Sequence, residues 1–215
     1  MTTKALQAIM ITVVSFSSTT FLHAQSNTEV VVQAGLIQPV LLQGGNVEID
    51  LNYKRFVLGY SHGFGLKLEG SNIIGEAKTQ GLAYTLPFTT GIGAGYKVLD
   101  WLDVRAELKW HKFEVHYDDS RNIEGGDLFS YTTVTLGAGV YGHWRPFDSR
   151  KDWLHGFNLS TSLRYWPNLT TSLDSDKREY DNEFVGQRVT HNASNIGIAN
   201  TAFIVNMSVG YAFAL

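Results

Sequence analysis

Two carboxylates stand one residue apart at Glu48 and Asp50, a spacing that puts both on one face of an extended strand. Together they are candidates for an acid/base pair, because environments that push two pKa values apart divide the acid and base roles. The plainer alternative is that each is held in an ion pair. Ser61-His62, and His191 with Ser194, bring hydroxyls near imidazoles, as an activated nucleophile requires. Neighbours in a strand point to opposite faces, so Ser61 and His62 are poorly placed to pair. His111, His116, His143 and His155 are scattered and lack the spacing of a zinc site. Asp118, Asp119, Glu124 and Asp127 make one segment acidic, and residues 174–183 make another densely charged. Neither follows the ligand order of a calcium loop, so solvated surface loops are expected there. No catalytic residue, metal ligand or cofactor is assigned from the sequence.

The charges make more sense as a set. Glu48, Asp50 and Lys54 share one parity, as do Arg105, Glu107, Lys109 and His111; Lys97 and Arg164 belong to the same kind of face in their own segments. Gly63, Gly65, Gly91, Gly93 and Gly95 form a bare stretch that long side chains could fill. These nine charged or ionisable residues are expected to form a paired network, since a buried charge without a partner costs several kcal/mol.

Such a network needs an enclosing wall, and the alternation of the chain supplies one. Phe203, Val205, Met207, Val209, Tyr211 and Phe213 fall on one parity, with small or polar residues between them. Similar alternation recurs in 46–54, 88–98, 103–111, 132–145 and 157–166, with weaker segments at 29–36 and 56–69. After His111 the large residues Phe113, Val115 and Tyr117 take the other parity, which reads as a bulge or as a strand leaving the membrane. Connections alternate between short (54–55, 99–102, 146–153) and long (70–87, 118–127, 167–200), with 37–45 intermediate. The sequence therefore predicts an all-β fold, a closed antiparallel up-and-down transmembrane barrel of about eight strands.

Volume decides which face points inward. An eight-stranded interior is just wide enough to be filled by side chains. Interleaved charges and glycines fit it; rows of Phe, Tyr, Trp and Leu would overfill it. The apolar face is thus expected outside, toward lipid, rather than inside as in a lipocalin-type barrel.

Lys4 followed by the uncharged, mostly apolar stretch 5–21 and by Leu22-His23-Ala24 is expected to be a cleavable signal over residues 1–24. The barrel domain would then occupy 25–215, with no later stretch near the ~20 apolar residues of a membrane helix. The absence of cysteine excludes disulfides, zinc–thiolate sites and thiol nucleophiles, and a net charge of -3 argues against nucleic acid as a partner.

With its signal, alternating segments and terminal 203–215 pattern, the chain resembles the small outer-membrane barrels: the OmpX-like and OmpW-like proteins, the transmembrane part of OmpA, and the "outer membrane protein β-barrel domain" group. The resemblance covers residues 25–215. It implies a Gram-negative cell outer membrane, lipid and lipopolysaccharide neighbours, and recognition by the barrel-assembly machinery through Phe203, Val205, Met207, Val209, Tyr211 and Phe213. The family signal commonly ends in an aromatic residue, whereas Phe213 is followed here by Ala214-Leu215. The expected role is structural or surface-interacting through the outer loops, with a plugged lumen and no enzymatic activity. A narrow, porin-like channel for small solutes and a lipid A-modifying hydrolase or acyltransferase are the alternatives, and the external ligand stays open.

Overall fold

The computed structural model describes residues 28–69, 75–118, 127–197 and 200–215. The segment assigned as a signal lies outside these residues, as do Asp119 and Glu124. Eight strands close an antiparallel barrel: β1 (Thr28–Gly35), β2 (Gly45–Tyr53), β3 (Phe56–Leu68), β4 (Leu82–Leu99), β5 (Leu102–Tyr117), β6 (Phe129–Trp144), β7 (Phe157–Tyr165) and, after three shorter strands, β11 (Phe203–Ala214). β11 pairs with both β7 and β1, which completes the ring. Partners followed round from Glu29 run through Asn52, Val57, Gly95, Arg105, Gly139 and Arg164 to Ile204. Glu29 itself pairs with Ala214, so the path closes with a stagger of ten residues. That stagger tilts the strands, by roughly 40° in barrels of this kind.

One end of the barrel carries the short turns. Lys54-Arg55 joins β2 to β3, Asp100-Trp101 joins β4 to β5, and a segment with a 3₁₀ turn at Trp153–Gly156 joins β6 to β7. The other, the loop end, carries α1 (Ile37–Leu41) between β1 and β2, and α2 (Glu76–Thr79) between β3 and β4. It also carries the long connection from β7 to β11. That connection is folded rather than a solvated loop. β8 (Asn168–Thr171) continues the pairing of β7 along β6, and β9 (Lys177–Asn182) and β10 (Gln187–Asn192) form a hairpin. The charges of 174–183 mask its alternation: Tyr180 and Asn182 turn toward the barrel, while Glu179, Asp181 and Glu183 stay exposed.

The wall has two tiers of opposite polarity. In the lower tier, Val104, Ala106, Leu108 and Trp110 of β5 point outward, and Arg105, Glu107 and Lys109 point inward and are buried. Phe203, Val205, Met207, Val209, Tyr211 and Phe213 likewise lie along the outer face. From Phe203 to Phe213, ten residues at ~3.3 Å rise and ~40° tilt span about 25 Å. Aromatic residues mark both limits of this apolar belt. Tyr53, Phe56, Tyr96, Trp144 and Phe213 stand at the turn end; Phe64, Phe88, Trp110, Tyr165 and Phe203 stand toward the loop end, and all are substantially exposed.

Above Trp110 the order reverses. Lys112, Glu114 and His116 face out, whereas Phe113, Val115 and Tyr117 are buried. They pack with Leu66, Leu82, Tyr84, Leu86 and Tyr131 in an apolar core within the loop end of the barrel. β5 itself has neither a bulge nor a slip. Its register with β6 runs unbroken from Leu102 to Val115, and Arg105 through Tyr117 keep one parity. What changes is the composition of the inward face. The irregularities lie in β3 and β4 instead. Gly65 has φ +60, and beyond it Leu66 turns inward. β4 carries Thr85 to Thr89 against Glu114 to His111, one residue more than its partner, around Pro87, which has no N–H for the ladder.

Candidate functional site

The lower lumen is where the sequence-derived network falls. Four of the long side chains there start beside a glycine on the neighbouring strand: Lys109 beside Gly91, Glu107 beside Gly93, Arg105 beside Gly95 and Arg164 beside Gly139. A methyl group at Gly95 would stand 2.6 Å from Arg105 Cγ, and one at Gly93 or Gly139 would stand 3.1 Å from Glu107 Cγ or Arg164 Cγ. The glycines are the space into which the charged stems lean. Gly65 does not share this role, since no atom crowds its Cβ position.

The charges are paired in layers along the lumen. At the turn-end mouth, Glu29 accepts from Arg145 at 2.7 Å, Asn52 at 2.8 Å and Lys97 at 3.3 Å. Next, Arg105 bridges Asp50 Oδ1 at 2.7 Å and Asp103 Oδ1 at 2.6 Å. His143 Nε2 meets the other Asp103 oxygen at 2.6 Å, and Gln33 donates to Asp50 at 3.2 Å. Above them Arg164 pairs with Glu48 at 2.7 Å, and Tyr141 donates to Glu107 at 2.6 Å. Trp166 Nε1 donates to the same Glu107 oxygen at 2.9 Å. Lys109 meets Glu107 at 3.5 Å, hydrogen-bonds Ser61, and lies 4.0 Å over the Trp166 ring. Arg105 lies 4.0 Å over the face of Tyr141, so the two aromatic rings separate and cushion the cations. The cavity among Glu48, Asp50, Ser61, Arg105 and Glu107 measures about 10 Å³, room for about one water.

Two of the nine expected residues behave differently. Lys54 does not join the network: β2 ends at Tyr53, and Lys54 occupies the turn with φ +53, exposed, its ammonium 5.3 Å over the Tyr53 ring. His111 is fully buried but has hydroxyl rather than carboxylate partners, Thr89 at 2.6 Å and Thr135 at 2.9 Å. It sits where the polar lumen meets the apolar core. The network also includes His143, weighed in the sequence only as a zinc ligand, and Glu29, Asp103, Tyr141, Arg145 and Trp166, which the sequence reading does not single out. Parity alone would have found Asp103, Tyr141 and Trp166, because each shares the inward face of its strand. Glu48 and Asp50 are thus each tied to a guanidinium, not poised as a free acid and base.

The other candidate chemistry is at the loop end. Ser61 points into the lumen and His62 onto the outer wall. His191 and Ser194 both meet the phenol of Tyr131, which His191 Nε2 approaches at 3.3 Å and to which the Ser194 N–H donates at 3.1 Å. Both are buried, and the rings of Tyr84, Phe129 and Tyr131 lie within 6 Å of the imidazole. Burial drives the His191 pKa down from 6.5 to about 4 and that of the neighbouring Tyr180 phenol up to about 12. A neutral imidazole packed in this way fastens the hairpin to the barrel. Gln80 completes the seam, donating to Thr190 O at 3.0 Å and accepting from Tyr180 at 3.0 Å. Among the described residues, no group of three His, Asp or Glu side chains could hold a metal ion.

No family model matches the chain, and no curated protein matches it. A solved structure described as "De novo design of transmembrane beta-barrels" is similar at 12% identity and a TM-score of 0.31, over 89% of this chain and 100% of that one. At that score the likeness adds nothing to the barrel described above.

Proposed function

We propose that this protein is an integral outer-membrane barrel of a Gram-negative cell, with a plugged lumen and a structural or surface-interacting role carried by its loop end. The observation that carries this reading is the lumen, where ion pairs span the interior in successive layers around a cavity of about 10 Å³. A conduit needs a continuous wet path, and these side chains occupy it. The apolar belt of about 25 Å supports the membrane assignment, because outer-membrane barrels carry an outward apolar band of about that height between aromatic girdles. The reversal of polarity above Trp110 supports a water-exposed extension beyond the lipid. Outer-membrane lipids and lipopolysaccharide are the neighbours this wall fits. The outward row from Phe203 to Phe213 is the surface that assembly machinery would read.

Conductance tests the reading. The purified full chain, inserted into planar bilayers, is expected to leave the baseline quiet; steady openings of porin size would overturn the plug.

A further inference from the structure

The connection between β1 and β2 differs from the other loop-end connections in where it leaves the wall. β3, β5 and β6 run past the upper aromatic girdle into the second tier. β1 stops at Gly35, which pairs with Ser208, and the Leu36 N–H donates to Met207 O at 2.8 Å. Ser208 is five residues down β11 from Phe203. With the tilt and rise above, the chain departs about 10 Å below the girdle. It re-enters at Gly45, which pairs with Phe64 in the girdle itself. Residues 36–41 therefore start within the upper part of the belt, whereas Leu42 is tied to Lys67, three residues past Phe64 on β3.

Resting on the membrane reading above, we propose that the first part of this connection lies in the lipid layer, with Leu36, Val40 and Leu41 inserted among acyl chains of the loop-side leaflet. Their exposures are 40%, 78% and 55%. They continue the belt, on whose outer face Val205 and Met207 of β11 and Val47 of β2 are also exposed. From Gly35 to Asn46 the chain carries no charge, unlike the acidic or mixed loops elsewhere.

Part of the backbone is satisfied within the protein. A chain at membrane depth must satisfy its polar groups without water. Leu42 N–H returns to Gln38 O at 2.8 Å, and Leu42 O accepts from Lys67 N–H at 2.7 Å. Pro39 brings no N–H to satisfy. Leu42 turns inward against the loop-end core, which anchors the far side of α1.

The chain has no cysteine, so single labels can be placed freely. Val40→Cys, Ala106→Cys on the mid-belt wall and Glu114→Cys on the upper tier would each carry a nitroxide, in full-length protein in phosphatidylcholine vesicles. Collision with oxygen reports lipid, and collision with a water-soluble nickel chelate reports solvent. Position 40 is expected to match position 106, with nickel collisions several-fold rarer than at position 114. Nickel access at 40 with lipid-like behaviour at 106 overturns the inference and leaves the membrane reading intact. Nickel access at both overturns the two together. If neither collider reaches 40 and the labels broaden each other, a second copy covers α1, and the assignment to lipid fails.

Discussion

At the scale of single residues, the lumen shows why a barrel commits its buried charges in sets. Arg164 is buried against Glu48, and Arg105 is shared by Asp50 and Asp103. Desolvating such ions costs several kcal/mol each, and their mutual attraction only offsets this when geometry and extra hydrogen bonds are good. The pairs are therefore most visible when one partner is removed. Arg164→Met strands Glu48 and is expected to lower unfolding free energy by about 3–5 kcal/mol. Lys54→Met, in the exposed turn, should change it by less than about 0.5 kcal/mol. Urea unfolding of the two variants in lipid vesicles compares them directly; equal losses would mean that the network does not hold the lumen together. Most of the network was legible, because inward parity and charge together mark Glu48, Asp50, Arg105, Glu107, Lys109 and Arg164. The mouth was not. Glu29 and Arg145 meet only through ring closure, which joins segments 116 residues apart.

At the scale of elements, the strands were legible by alternation and their irregularities were not. The sequence of β5 changes phase at Phe113, yet its backbone never does; the composition of its inward face changes instead. The true phase changes, at Gly65 and around Pro87, are single-residue events in segments whose composition is already mixed. The β9–β10 hairpin was hidden for another reason: its exposed edge is so charged that the buried positions Tyr180, Asn182 and His191 do not stand out. His191 gives that element a pH dependence. Its folded pKa is about 4, against 6.5 when free, so the docked hairpin excludes a proton that the undocked one binds. Docking should be at full strength above pH 6.5, weaken as pH falls from 6.5 toward 4, and level off below that. Amide hydrogen exchange in 187–193, corrected for intrinsic rates, should accelerate between pH 7.5 and pH 5. His191→Gln should remove that dependence, and a persistent dependence would point to another titrating group.

At the scale of the whole molecule, one wall carries two tiers of opposite polarity. Below Trp110 the barrel is polar inside and apolar outside; above it, the same strands are apolar inside and polar outside. Alternation alone gives the strands but not this boundary, since a period of two is the same in either tier. The boundary becomes legible only when outward residues of adjacent strands are compared at one height, and that requires the register and the stagger of ten. It can be measured by placing one charge at different heights on the outer face. Ala106 lies mid-belt and faces outward; Glu114 faces outward from the upper tier of the same strand. Arginine at a bilayer midplane costs about 2–4 kcal/mol in such barrels and about 0–1 kcal/mol near the interface. Ala106→Arg should therefore lower folding free energy into vesicles by about 2–4 kcal/mol, and Glu114→Arg should leave it nearly unchanged. Because both substitutions sit on β5 and point the same way, strand propensity and packing are closely matched, and depth is the main variable. Equal costs at the two positions would mean that the belt does not meet lipid, and the membrane reading would fall with it.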